Sequence, residues 1–379
     1  MIHLLSRQLK IRLMESLKPG QVTVLYGARR VGKTTLIKQI MAELQGKIEF
    51  INCDVSIDRA RIDTEEFTKL ELVAKGRDYL IIDEAQKIHN IGQILKILVD
   101  NFPELQIIAS GSASFDLASK VGEPLTGRKK ILTLYPLAVS ELFEPHHPAI
   151  KEKIDQLLVY GAYPAIYTSD DPKDKQEQLR ELVESYLYKD ILEFEGIRNA
   201  GKIKDLLILL AYQVGSEVSL RELGSNLDMH VATVSKYLDL LEKAFVVFNL
   251  RGFSRNLRKE VVKTSKYYFY DTGIRNALIN NFNPLSLRDD QGKLWENFCM
   301  VERRKYLEYN RIFANHHFWR TYDQKEIDLV EERDGKLFAY EFKFKMTKEK
   351  RPKEFLETYP NSEFRAISPD QLSDFVTAA

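Results

Sequence analysis

The sequence predicts an α/β fold: a P-loop parallel sheet with helices on both faces, then a helical lid, a winged-helix module and a small α/β domain. Three observations carry the first part. A β-branched run, Val22 to Tyr26, leads into the glycine-rich stretch Gly27-Ala28-Arg29-Arg30-Val31-Gly32-Lys33-Thr34-Thr35. A second apolar run, Tyr79 to Ile82, ends in the carboxylates Asp83 and Glu84. Helical patterns alternate with these strands, which is the order that builds parallel sheets with ligands at the carboxyl strand ends.

In chain order, a first helix runs from about Leu4 to Leu17 and stops at Lys18-Pro19-Gly20. Strand one precedes the glycine-rich loop, and the helix behind it opens near Lys33 and continues through Leu36 to Leu44. Ile48 to Asp54 reads as a second strand, and Ile91 to Val99 as a helix. Leu105 to Ser112 is a further apolar strand that leaves through small polar residues.

The loop fits G-x-x-x-x-G-K-[ST] in its required strand–loop–helix setting, so it is read as a phosphate-binding loop. Gly27 and Gly32 let the backbone turn its N–H groups inward, and the helix start adds the positive end of its dipole. Lys33 reaches the β- and γ-phosphates of a nucleoside triphosphate, and the Thr34 hydroxyl ligates Mg²⁺. Asp83 is placed to hold the Mg²⁺ shell, and Glu84 to orient or deprotonate an attacking water. A carboxylate at Glu84 points to hydrolysis rather than binding alone. Ser110 or Ser112 stands where a γ-phosphate sensor would, or marks a plain strand exit. Arg128 either approaches the γ-phosphate, in cis or from a neighbouring subunit, or is simply solvated.

Composition sets the bounds. The chain has 379 residues, with 44% hydrophobic and 29% charged, which suits several globular units. The net charge of +1 excludes a global attraction to polyanions, so any nucleic-acid surface is local. Two cysteines, Cys53 and Cys299, argue against a disulfide framework or zinc cluster and fit a reducing cytoplasm. No signal peptide, membrane span or repeat is read.

After a linker at Pro145 to Pro148, helices Ile150–Tyr160 and Lys173 to about Glu195, broken at Gly161-Ala-Tyr-Pro164, suggest a helical lid beside the nucleotide. Then comes a compact set. Ile203 to Val214 is an apolar-faced helix, Ser219-Leu-Arg-Glu222 is a capping box, and Thr233 to Lys243 is a third helix. Phe245 to Leu250 and Lys266 to Tyr270 read as wing strands. In this winged-helix reading Thr233, Ser235, Lys236 and Tyr237 face a DNA major groove. Arg251, Arg255, Arg258, Lys259, Lys263 and Lys266 form a local basic run. Asp239 and Glu242 oppose a phosphate surface, so protein docking is the competing role.

Near the C-terminus, Gly292 to Arg303 reads as a helix carrying Glu296. Two strands follow, one with Asp328 and one with Glu341 and Lys343. Alternation puts Glu341, Lys343 and Lys345 on one face. The set could hold one or two Mg²⁺ ions through Glu296, Asp328 and Glu341, with Lys343 orienting water or offsetting charge. Alternatively it is a structural salt-bridge set.

Together, the phosphate loop, Ile81-Ile-Asp-Glu-Ala-Gln86, Ala109-Ser-Gly-Ser112, Gly127-Arg128 with Tyr135-Pro-Leu and Glu141-Leu, Ser185 to Asp190 and Phe269 to Gly273 resemble a known family. It is the prokaryotic AAA-type ATPases with a C-terminal domain of unknown function (DUF4143-like). The resemblance covers nearly the whole chain and implies ATP binding and hydrolysis, with no known substrate. The C-terminal order of helix Glu, strand Asp and Glu-x-Lys resembles the PD-(D/E)XK nuclease core.

The expected organisation is an ATPase domain over 1–145, a lid over 146–200, a winged-helix module over 201–280 and the nuclease-like domain over 281–379. Three functions stand: an ATPase driving a DNA-acting C-terminal region, a nucleotide-dependent signalling switch with an inert nuclease-like domain, and a DNA-binding regulator with ATP as ligand only. The expected partners are ATP and ADP, with DNA, a protein partner or further copies of the chain to be distinguished, and no membrane.

Overall fold

The computed structural model describes residues 5–111, 125–185, 200–253, 265–321, 325–346 and 351–377. The chain divides into two compact units, Met1–Pro136 with Lys243–Phe245, and Leu137–Glu242 with Val246–Ala379. The first boundary, expected near 145, thus falls at Pro136. Beyond that proline the backbone is bonded into the second unit: Leu137 N–H donates to Ala162 O at 2.8 Å and Val139 N–H to Glu302 Oε2 at 2.7 Å.

The first unit contains α1 (Leu9–Ser16), β1 (Val22–Tyr26), α2 (Lys33–Met41), β2 (Ile48–Asn52), α3 (Ser56–Ala60), α4 (Phe67–Ala74), β3 (Tyr79–Asp83), α5 (Ile91–Asn101), β4 (Gln106–Gly111) and β5 (Lys129–Thr133). Its strands form one sheet in the order β2-β3-β4-β1-β5, with every pair parallel. Parallel strands are covered on both faces and read as continuous apolar runs, as β1 does, being buried throughout. α5 buries Ile91, Ile94, Leu95, Leu98 and Val99, a single stripe at helical spacing. Each such side chain contributes roughly 1.5–3 kcal/mol on burial. Register sets Tyr26 beside Gly111 and Ile82 beside Ala109. The carboxyl ends of β1, β3 and β4 therefore meet on one edge of the sheet.

The second unit begins with α6 (Val139–Leu142), α7 (Ala149–Tyr160), α8 (Pro164–Thr168), α9 (Pro172–Leu182) and α10 (Ala200–Tyr212). Next come β6 (Glu217–Val218), α11 (Leu220–Leu227), α12 (Val231–Lys243), β7 (Val247–Gly252), β8 (Ser265–Phe269), α13 (Thr272–Leu278) and α14 (Gln291–Tyr309). It ends with β9 (Asn315–Arg320), β10 (Glu326–Arg333), β11 (Lys336–Phe342), α15 (Lys353–Thr358), β12 (Ser362–Ile367) and α16 (Leu372–Thr377). The helices α7 and α9 pack on α13. Asn276 of α13 fixes that packing by donating to Leu158 O and Val159 O, each at 2.9 Å.

The second sheet runs β12-β11-β10-β9-β7-β8-β6. The strands expected as a wing therefore belong to the same sheet as the C-terminal strands. The join is a parallel pairing of β7 with β9, Arg251 beside His317 and Gly252 beside Phe318. A domain boundary at 280 would cut this ladder, so residues on both sides of it form one body. β9 was not read from the sequence, because Asn315-His-His-Phe-Trp-Arg320 lacks clean alternation.

One expected groove residue and one residue of the basic run also differ from expectation. Tyr237 is 5% exposed, because α12 turns its Val234-Tyr237-Leu238-Leu241 stripe inward. Lys266 is 2% exposed and lies inside the sheet rather than on a basic surface. Ser235 and Lys236 are exposed, and Thr233 is half-buried. Arg255, Arg258, Lys259 and Lys263 lie outside the described residues, as does Ser112.

Candidate functional site

The loop from Gly27 to Lys33 leaves the carboxyl end of β1 and enters α2 with Gly32 as its cap. Gly27 has φ +154°, and a Cβ there would stand 2.2 Å from Leu134 O. Only glycine lets the loop pass this close to the neighbouring backbone. Gly32 adopts φ +99° and Arg30 φ +63°, so the loop curls tightly where a phosphate cradle needs it. Arg29, Arg30 and Thr35 are exposed, whereas Ala28 and Val31 are buried.

Lys33 is 5% exposed. Its ammonium donates to Gly27 O at 2.9 Å and to Ala28 O at 3.0 Å. The amine is thus held over the loop by its own carbonyls. Thr34 donates its hydroxyl to Asp83 Oδ2 at 2.7 Å. The Ser110 hydroxyl donates to the other oxygen, Asp83 Oδ1. Asp83 is 2% exposed, so burial demands these partners. Ser110 thereby braces the carboxylate.

Glu84 follows in the left-handed region at φ +55°. Its N–H reaches Ser110 Oγ at 3.4 Å, and Gln86 Nε2 donates to its carboxylate. A non-glycine residue in this conformation costs of order 1–3 kcal/mol and is held only where the surroundings determine it. The loop donors, the Lys33 ammonium, the Thr34 hydroxyl and the Asp83 carboxylate form a set that fits a magnesium-bound nucleoside triphosphate. Cys53 lies nearby, its N–H donating to Asp83 O at 3.0 Å. Burial, then the Asp83 charge, pushes its thiol up to about 12, which leaves it neutral and unreactive.

Arg128 is not part of this group. It lies just before β5, its carbonyl accepting from Val22 N–H at 2.9 Å, and its side chain pairs with Asp100. This is the amino end of the strands, a strand length of about 16 Å from the phosphate loop. A role for Arg128 on the γ-phosphate in cis is therefore corrected: parallel strands put their two ends at opposite edges.

In the second unit, register sets Leu329 beside Tyr340, and its continuation brings Asp328 opposite Glu341. Asp328 Oδ2 accepts from Phe342 N–H at 2.8 Å. Glu341 Oε2 lies 3.6 Å from Lys343 Nζ, which is half exposed. Glu296 takes other partners. Its Oε1 accepts from Tyr268 OH at 2.6 Å and lies 3.6 Å from Lys266 Nζ. Lys266 also pairs with Glu326.

Burial, then the Asp328 charge, pushes Glu296 up to about 8. Burial also raises Asp328 and Glu341. Burial presses on Lys266 as well, but the Glu296 and Glu326 carboxylates outweigh it and raise its pKa. The expected metal trio of Glu296, Asp328 and Glu341 is corrected accordingly. Among the described residues no group of three His, Cys, Asp or Glu side chains could hold a metal ion. Lys266 sets an ammonium beside Glu296 and Glu326.

Sequence reading passed over the part that Lys266 and Tyr268 play here. Alternation along Lys266-Tyr-Tyr-Phe-Tyr270 puts both on one face, a signal that could have found them.

Residues 19–143 match an AAA domain, and residues 291–369 match the domain of unknown function DUF4143. The chain thus carries an AAA-type P-loop domain followed by a C-terminal DUF4143 domain. Between the two, residues 151–285 match another domain of unknown function, DUF8612. An uncharacterised protein of Mycobacterium tuberculosis is 29% identical over 342 residues, 89% of this chain and 73% of its own. An uncharacterised protein of Methanocaldococcus jannaschii is 26% identical over 82% of this chain and 72% of its own. The Walker-type ATPase of Pyrococcus abyssi shares the fold, with a TM-score of 0.52 and 15% identity over 73% of this chain and 96% of that one. No helix among the described residues is long and apolar enough to cross a membrane.

Proposed function

We propose that the protein binds Mg²⁺·ATP in the first unit, hydrolyses it there, and uses the cycle to regulate a C-terminal unit that is catalytically inert. The observation that carries the nucleotide half is the Thr34–Asp83–Ser110 hydrogen-bonded chain beneath a loop whose lysine is already seated. In this reading the residues from Gly27 to Thr35 surround the phosphates, Thr34 and Asp83 hold Mg²⁺, and Glu84 takes the proton of the attacking water. Bound Mg²⁺ would supply charge neutralisation of the phosphates. ADP is the product retained or released between states.

The helix–strand–helix–helix–strand–strand order over residues 200–269 supports a winged-helix module. The burial of Tyr237 and Lys266 favours its use as a packing and protein-docking element. Lys266, seated among the C-terminal carboxylates, favours the inert reading of the nuclease-like site. The facing of Asp328 and Glu341, with Lys343 beside them, keeps an active nuclease as the second reading.

One experiment separates the two. ATP turnover and DNA length are followed in the same Mg²⁺-containing reaction, with wild-type protein and with Glu341→Ala. Turnover that ignores DNA, with uncut DNA, is the expected result. Cutting that disappears in Glu341→Ala would establish the second reading.

A further inference from the structure

We infer that Arg7, upstream of every motif, is a positioning residue for the phosphate loop; the inference rests on that loop being the nucleotide site. Arg7 is 6% exposed, and its carbonyl starts the turn into α1 by accepting from Lys10 N–H at 3.0 Å. Its guanidinium spans two backbone carbonyls. Nη1 donates to Val31 O at 2.7 Å, and Nη2 donates to Tyr135 O at 2.6 Å. Val31 is the residue before Gly32 in the loop. Tyr135 follows Leu134, whose N–H donates to Tyr26 O at 2.7 Å and whose carbonyl faces Gly27. One side chain thus ties the N-terminal turn, the phosphate loop and the strand exit that walls the loop.

The consequence follows from peptide geometry. In a trans peptide the C=O and the following N–H point in opposite directions. Holding Val31 O against Arg7 therefore turns the Gly32 N–H away from Arg7, toward the concave side that would receive phosphate oxygens. Gly32 has no Cβ to resist this plane, and Arg7 Nη1 stands 3.6 Å from where one would lie. A planar fork suits two carbonyls at once, whereas a lysine ammonium is a compact point charge on a flexible stem. Arg7 acts through the loop backbone and touches no reacting atom.

The test compares wild type with Arg7→Met and Arg7→Lys. Dissociation constants for ATP and ADP are measured calorimetrically, together with kcat, KM and the melting temperature. Losing one hydrogen bond to a charged group weakens binding by about ten- to a hundredfold. That loss is expected for ATP and ADP alike in Arg7→Met, with Arg7→Lys intermediate. KM rises while kcat at saturation stays near wild type, because the interaction is shared by ground and transition states. Unchanged dissociation constants with a lowered melting temperature would make Arg7 a brace of the fold only. A fall in kcat with unchanged ADP affinity would make it a catalytic arginine. Either result overturns the inference. If Arg7→Met does not fold, Arg7→Lys and the same KM–kcat split decide. Wild-type ATP binding that survives Lys33→Ala would instead overturn the nucleotide site itself, a separate outcome.

Discussion

Lys266 Nζ lies 3.6 Å from Glu296 Oε1, and the two come from β8 and α14, on opposite sides of the boundary expected at 280. With Glu326 as a second partner, Lys266 is a buried cation serving carboxylates on two other elements. Removing one partner of a buried pair leaves an uncompensated charge, which costs about 3 kcal/mol or more. Lys266→Met is expected to destabilise the second unit by that order in urea denaturation. Adding Glu296→Gln should recover part of the loss, since the two residues are coupled. Additive effects of the two changes would sink the pairing.

Lys33→Ala is expected to abolish ATP turnover with the circular-dichroism spectrum unchanged. The lysine donates to the loop carbonyls Gly27 O and Ala28 O, so its loss takes the positive charge away from the phosphate loop itself. Unchanged turnover in this variant would refute the site.

Glu84→Gln keeps size and hydrogen-bonding capacity but cannot accept a proton. It should bind ATP like wild type and turn it over about a hundredfold or more slowly. Single-turnover assays with radiolabelled ATP read this directly. Normal rates would remove Glu84 from the reaction.

Arg128→Ala should leave turnover of the isolated chain near wild type, because Arg128 stands at the amino edge of the sheet with Asp100. The measurement is kcat across a range of protein concentration. A loss confined to high concentration would show that a second copy places this arginine on its neighbour's nucleotide.

Asp271 gives a pH dependence with a definite sign. It is 6% exposed and accepts N–H bonds from Ala162 at 2.7 Å and Ile274 at 3.1 Å. Burial nevertheless raises its pKa to about 6. The unfolded value is about 3.9. Between these values the folded state holds the proton more often than the unfolded state, so this group's contribution to stability falls as pH rises through about 6. The fall amounts to about 2–3 kcal/mol. Asp271→Asn does not titrate, so its deficit relative to wild type should shrink between pH 4 and 7 in urea denaturation. A deficit constant over that range would contradict the assignment.

The nucleotide unit was largely legible because its determinants are local. The phosphate loop needs glycines at fixed spacing, and β1, β3 and β4 are continuous apolar runs, so chain order alone predicts a parallel sheet with Lys33, Thr34 and Asp83 along the loop edge. Ser110 was read as one of two sensor candidates, but its bond to Asp83 depends on the β3–β4 register. Arg7 carries no motif at all: its role exists only because the N-terminal turn returns to Val31 and Tyr135.

The second unit shows the other limit. Glu296, Asp328, Glu341 and Lys343 were found as residues, since α14 and the strands β10 and β11 follow from periodicity. Adjacent strands also bring Asp328 and Glu341 together as expected, with Lys343 beside them. The Lys266 and Tyr268 partners of Glu296 were not legible, because a strand pattern fixes which side a residue takes but not which strand lies beside it. The pairing of β7 with β9 joined two expected modules into one sheet and brought Lys266 among the carboxylates. Local pattern determined the elements and the phosphate loop. Long-range strand pairing, which no short window of sequence records, decided which charges meet.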